Sequence, residues 1–315
     1  MIKRILKRVC RTALTLLGVA LILFLILRLI PGNAVMTAMG EHIDPEIAEK
    51  RMNELGLDRP VFVQFFMYIR GLIGGNMGES FTYHKSVSSL IAGAFPNTVK
   101  LALLALLFSW VIGIPAGIIS AERPDRPLDR IFTFGSLLNI SAPVFLVAML
   151  LQYFLAFKAG LFPLTSDNAG FIGLVLPALA LSWDCAGSIC LLIRSVVSDV
   201  LREDHITAVR AVGGRHNGLM VIGRAFRNAI LPVISMMAMQ FSSFLSGAVI
   251  TESIFSVSGI GRLAVGAIAA RDIPLIQGTV LLCTLIVLLS NLAADILYEL
   301  LDPRIRTAFA RRIKR

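Results

Sequence analysis

The chain has 315 residues, 56% of them hydrophobic and only 16% charged, with a mean hydropathy of +0.79. Such a composition lies far outside the range of soluble domains and marks a membrane protein. The formal net charge of +10 raises nucleic acid as a partner, but the bases are spread over four segments between apolar runs, which fits the excess of positive charge on the inner side of a membrane; no nucleic-acid partner is expected.

At about 20 apolar residues per crossing, spans are expected at 12–30, 97–119, 131–156, 171–193, 229–251 and 275–298. The runs are continuously apolar rather than alternating, which favours helices over a barrel. The expected class is therefore an all-α, polytopic membrane protein with six transmembrane helices. The basic opening MIKRILKRVCR and the run that follows mimic a secretory signal. That run exceeds the ~7–15 residues of a signal's apolar core and no A-x-A site follows, so 1–30 is expected to be a cytoplasmic N-terminus and an uncleaved first span.

Residues 31–96 form an outer loop region in which seven acids face five bases. A five-helix core is expected over 97–298, with a long cytoplasmic connection at 194–228 and a basic tail at 299–315. Of the 30 Lys and Arg residues, 20 fall in the N-terminus, 120–130, 194–228 and the tail, which places both termini in the cytoplasm.

Enzyme chemistry finds little support. Cys10, Cys185, Cys190 and Cys283 lie in or beside spans without metal-type spacing, and His42, His84, His205 and His216 are scattered. Ser188, Ser242, Ser243 and Ser246 fall within spans, but no histidine does, which removes the usual base. Neither H-E-x-x-H nor G-x-x-x-x-G-K-[ST] occurs, so no metal, catalytic or cofactor site is expected on this chain. What remains is a transporter, a channel, or a subunit powered from elsewhere.

The 194–228 connection opens RSVVSDVLREDHITAVRA and breaks at Gly213-Gly214. Val197, Val200, Leu201 and Val212 sit among charges at roughly helical spacing, predicting a helix that leaves the fourth span, a glycine break, and a second short helix before Arg227. The small side chains of Thr207, Ala208, Ala211 and Gly213 would let another protein approach the backbone; the alternative is a solvated loop whose charges only anchor topology.

The stretch EDHITAVRAVGG followed by RNAILP resembles the EAA loop of permease subunits of type I ATP-binding-cassette importers, in the dipeptide/oligopeptide/nickel branch. The likeness runs along the chain: LRLIPGNAV (27–35), LGLDRP (55–60), GGNMGESF (74–81), SAPVF (141–145), ITESIFSVSGIGR (250–262), ARDIPLIQG (270–278) and NLAADILYELLDPRIR (291–306) fall in the family's order and spacing. Asn33 and Asn76 stand where that family usually has Asp, Ser258 replaces a proline, Val212 replaces a basic residue, and the double glycine lengthens the loop by one.

The resemblance implies a bacterial inner-membrane subunit that pairs with a second, homologous permease in the lipid bilayer. Two ATP-binding-cassette ATPase subunits would dock on the cytoplasmic face, carrying ATP and Mg, and an extracytoplasmic binding protein would deliver substrate. Thr207, Ala208, Arg210, Ala211, Gly213 and Gly214 would shape the coupling element. The substrate is left among peptides, nickel or metal chelates, opines and glutathione. The alternative, a secondary carrier or channel, lacks the inverted repeat such carriers often show.

Several polar residues carry further expectations. Asp184, near the middle of the fourth span, costs ~2.5–3.5 kcal/mol if it faces lipid, so it should face the bundle interior or a water-filled path, with Ser188 one turn further on the same face. Its alternatives are a buried pair or a protonated acid. Asn291 and Asp295 are expected to bond a neighbouring helix, and Asp302-Pro303-Arg304 to stop the last helix at the membrane surface. Glu252, Arg262 and Asp272 are expected to order the outer loop by ion pairs.

Overall fold

The computed structural model describes residues 2–29, 59–167, 169–202, 248–301 and, within 233–245, all but 235 and 238. Asn33, the coupling residues Thr207 to Gly214, Val212 and Asp302 to Arg304 lie outside the described residues, as does the side chain of Asp295. The helices are α1 (Ile2–Leu29), α2 (Val61–Ile73), α3 (Val87–Glu122), α4 (Pro127–Ser141), α5 (Val144–Leu151), α6 (Ile172–Leu201), α7 (Val249–Ile254), α8 (Ile260–Ala269) and α9 (Ile273–Leu301).

Long apolar stretches in α1 (Leu6–Leu29), α3, α6 and α9 (Ile273–Ala293) match the expected first, second, fourth and sixth spans. The third is different in kind. Its two halves, α4 and α5 with the π-helical turn Gln152–Lys158 that continues it, meet at a bend of 105°. The cause is local: Pro143 cannot continue a hydrogen-bonded helix and forces the residue before it out of helical geometry, so Ala142 is extended at ψ 126°. The span expected at 229–251 lies partly outside the described residues; within 233–245 those described are helical. Also, α3 starts ten residues before its expected span and has 36 residues, about 54 Å, well beyond the ~30 Å hydrocarbon layer.

Two compact units share the chain, and α3 and α9 contribute to both. In the first, Leu27, Val87, Ile91, Ala267, Leu275 and Ile276 pack into one core drawn from α1, α3, α8 and α9. Aromatic contacts dock α2 on α1, with Phe65 edge-on to Phe24 (5.3 Å) and Tyr68 stacked on it (5.9 Å). The turn between α2 and α3 is tightly bonded. Asn76 Oδ1 accepts the Gly78 N–H at 2.9 Å, a role an aspartate oxygen fills equally, so the departure from the family pattern leaves the turn intact.

In the second unit the core is formed by Ala121, Ile189, Ile193, Val197, Val200, Leu201 and Val233. Three glycines set its close contacts. A Cβ on Gly113 or Gly117 of α3 would stand 2.6 Å from the Ala186 carbonyl oxygen and 2.7 Å from that of Cys190 on α6. A Cβ on Gly187 of α6 would meet the Ser136 carbonyl oxygen of α4 at 2.7 Å. These small residues, Gly113 and Gly117 in G-x-x-x-G spacing, let helix backbones touch where apolar burial gives no drive against lipid. Pro177 inside α6 deprives the Gly173 carbonyl of its helical donor, and the Ser166 hydroxyl supplies one at 2.6 Å.

Candidate functional site

α6 organises the second unit because three different surfaces meet around it. Ala186, Ile189, Cys190 and Ile193 are buried on the side facing α3, and Gly187 lies on the side facing α4. At 100° per residue, Asp184 and Ser188 fall on the remaining face, roughly opposite the α3 contact. Both are half-buried, and neither makes a side-chain hydrogen bond to another described residue. Exposed Ser195 continues the same row about two turns further on. The structure thus brings Asp184 and Ser188 together as a polar row on an otherwise apolar span, presented to whatever covers that face. A carboxylate at this depth needs protein or water rather than acyl chains beside it.

At the other end of α6 lies a cluster that reading the sequence for charge alone passed over. Asp129, 2% exposed, takes a two-pronged contact from Arg194: Nε donates to Oδ1 at 2.5 Å and Nη2 to Oδ2 at 2.8 Å. The Asp125 N–H (2.8 Å) and the hydroxyls of Thr133 (3.1 Å) and Ser120 complete its shell. One carboxylate therefore ties the end of α3, the 123–126 turn, the first turn of α4 and the last two turns of α6. Arg194 is thus a structural partner as well as one of the bases of the 194–228 connection. The signal available was an acid placed two residues after the proline that starts a helix, Pro127-Leu128-Asp129 in ERPDRPLDR. α6 runs on to Leu201, so the described root of the 194–228 connection is helical and anchored. Thr207, Ala208, Arg210, Ala211, Gly213 and Gly214 follow it, outside the described residues.

In the first unit two buried acids act on helix starts. Glu252, fully buried, accepts the Thr98 hydroxyl at 2.8 Å and the Arg262 N–H at 3.0 Å, and also the Gly261 N–H. Thr98 Oγ1 in turn accepts the Ile260 N–H at 2.9 Å. These are the donors that the first turn of α8 leaves without helical partners, and a negative charge at that terminus is further favoured by the helix dipole. Burial pushes the Glu252 carboxyl up, while the Thr98 hydroxyl and the two N–H groups pull it back down. Asp272 caps α9 by accepting the Leu275 N–H at 3.2 Å, and its other oxygen takes the Ser80 hydroxyl (2.5 Å) and Thr82 N–H (3.0 Å). The ordering of the outer region expected from ion pairs is thus carried, for both acids, by hydroxyls and backbone N–H groups. Asn291, expected to bond a neighbouring helix, is exposed.

Comparison with known proteins matches this sequence to a family. Residues 113–307 match the model of the binding-protein-dependent transport system inner membrane component, and residues 1–102 match the N-terminal model of the same transport-system membrane components. The di/tripeptide transport system permease of Pseudomonas aeruginosa is 36% identical over 320 residues, covering 93% of this chain and 95% of that one. The dipeptide transport system permease of Alkalihalophilus pseudofirmus is 32% identical over 318 residues (92% and 95%). The glutathione transport system permease of Salmonella choleraesuis is 34% identical over 306 residues (97% and 99%). With both family models and near full-length relatives aligned on a bundle of membrane-spanning helices, the chain belongs to the inner-membrane permeases of binding-protein-dependent transport systems, as a transport subunit of a type I ATP-binding-cassette importer.

Proposed function

We propose that the chain forms a substrate path for di- or oligopeptides together with a second, homologous permease, the α6 row of Asp184 and Ser188 facing that path. The observation that carries this reading is the polar row itself: two polar side chains at mid-span, half-buried, on the face of α6 turned away from α3. The relatives named for di/tripeptide, dipeptide and glutathione transport support the substrate class. A carboxylate there favours a positive group such as a peptide amino terminus.

In the same reading two ATPase subunits, carrying ATP and Mg, dock on the cytoplasmic side against the segment around Thr207 to Gly214, and an extracytoplasmic binding protein presents the peptide. Both termini are cytoplasmic, and 31–96 and 252–274 face outward. The test is transport by the full assembly in proteoliposomes, with the parent and with Asp184→Asn, which keeps the shape and removes the charge. ATP-dependent dipeptide uptake by the parent is expected, with the ratio of cationic to neutral peptide uptake falling in the variant. Uptake of nickel without peptide would overturn the substrate class. An unchanged ratio in an assembled variant would remove Asp184 from the path.

A further inference from the structure

Between the first and second spans lies a short helix whose surface is largely open. α2, VFVQFFMYIRGLI, has no buried residue among its thirteen. Phe62, Phe66 and Ile73 are 81%, 72% and 84% exposed. At 100° per residue they fall within about 40° of one another and form one apolar face. Polar side chains lie off this face: Gln64, on the far side, donates to the Arg59 carbonyl at 2.6 Å, and Arg70 sits at the edge.

The depth of this face can be read from its contact with α1. Phe65 and Tyr68 hold α2 against Phe24, which is 3% exposed and stands five residues before the end of the span Leu6–Leu29. At 1.5 Å per residue that is about 7–8 Å inside the end of the span. An amphipathic helix lying in a bilayer interface sinks its apolar face ~5–10 Å below the headgroup boundary, which is the same depth. Arg28 stands one turn nearer the end of the span and lays its guanidinium 4.0 Å from the centre of the Phe24 ring, a cation at that level marking a depth within reach of the headgroups. At the same end of the span, α1 itself carries exposed apolar residues, Leu25, Ile26 and Leu29, away from its Phe24 contact with α2.

We propose that α2 lies in the plane of the membrane interface at the Leu29 end of the first span, with Phe62, Phe66 and Ile73 embedded among lipid acyl chains. Lipid is the occupant that the depth favours, together with the exposed apolar residues of α1 at the same end of the span. The helix runs directly into the Gly74–Ser86 turn that Asp272 holds through Ser80 and Thr82. Embedding α2 therefore anchors that turn to the bilayer. The inference needs only the membrane, and holds whatever the substrate is.

Spin labels test it in the assembled transporter in lipid nanodiscs. Phe62→Cys, Phe66→Cys and Ile73→Cys would be labelled one at a time in a variant whose Cys10 and Cys283 are replaced, with the signal of the same assembly lacking the new cysteine subtracted. At all three positions collision with oxygen should exceed collision with a water-soluble nickel chelate. Nickel exceeding oxygen at the three positions would put the face in water and overturn the proposal. Low collision with both would mean a protein surface covers it, and would overturn it equally. Three independent positions keep the test decisive if one variant fails to assemble.

Discussion

At the scale of single residues, Glu252 explains two glycines. A Cβ on Gly259 would stand 2.4 Å from the Glu252 carboxyl carbon, and one on Gly261 would stand 2.9 Å from Oε2 and 2.7 Å from the Val249 Cα. The glycines in SVSGIGR are there so that a buried carboxylate can reach the backbone N–H groups that start α8. Removing the acid strands those donors and the Thr98 hydroxyl in a dry site, at a cost of ~1–3 kcal/mol for each group left unsatisfied. Glu252→Ala should therefore lose about 3 kcal/mol in thermal or denaturant unfolding of the purified protein, and Gly259→Ala about 2 kcal/mol through overpacking. The interaction between them is the sharper expectation. With Glu252 already truncated, the added methyl meets no carboxylate, so the glycine substitution should cost markedly less in that background. Equal costs in both backgrounds would mean that the glycine serves something other than Glu252.

Among elements, the contacts of α6 with α3 and α4 decide whether the second unit holds together. Gly117→Ala places a methyl 2.7 Å from the Cys190 carbonyl oxygen and 2.8 Å from the Ile193 Cβ, with backbone on one side and a β-branched residue on the other. Neither yields easily, so about 1–3 kcal/mol should be lost. Gly135→Ala on α4 meets nothing within 4 Å and should be neutral or gain up to about 1 kcal/mol from helix propensity. Unfolding of the two variants side by side separates packing from propensity; similar losses would deny the close approach. The spans themselves were legible because a continuous apolar run needs no tertiary information to be recognised. The 105° bend at Ala142 and Pro143 was not, since an average over 131–156 is apolar on both sides of the break even though Pro143 is visible. α2 escaped notice for the opposite reason, at thirteen residues being too short to count as a span. Asp129, Glu252 and Asp272 are long-range: their partners lie 65, 154 and 192 positions away, and charge counting assigns such acids to topology or ion pairs. The row of Asp184 and Ser188 was legible because helical spacing alone puts them on one face.

For the whole molecule, one distribution of charge bears on both sidedness and coupling. Twenty of the 30 Lys and Arg residues lie in the segments expected inside, among them 194–228. Cysteines introduced at Glu79 and Asp204 should react with an impermeant reagent from opposite sides of sealed vesicles. Reaction of both from outside would reverse or break the topology. If Asp204 is inside, the segment after it is available to an ATPase, and its root is anchored, because Arg194 and Asp129 bind the last two turns of α6 to α3 and α4. A push or pull applied to a segment rooted in this way reaches α6, and through α6 the row of Asp184 and Ser188, while a free loop would absorb it. If Gly213 and Gly214 supply a tight turn or close approach at the contact, a bulky side chain there would have no room. Replacing either with a large residue should therefore leave membrane insertion and pairing with the second permease unchanged while stimulation of ATP hydrolysis by loaded binding protein is lost. Asp129→Asn should weaken the same stimulation without touching the segment, because it loosens the root rather than the contact. Normal stimulated hydrolysis in both glycine variants would remove the segment from coupling, and normal stimulation in an assembled Asp129→Asn variant would leave the contact in place but deny the anchored root a part in it.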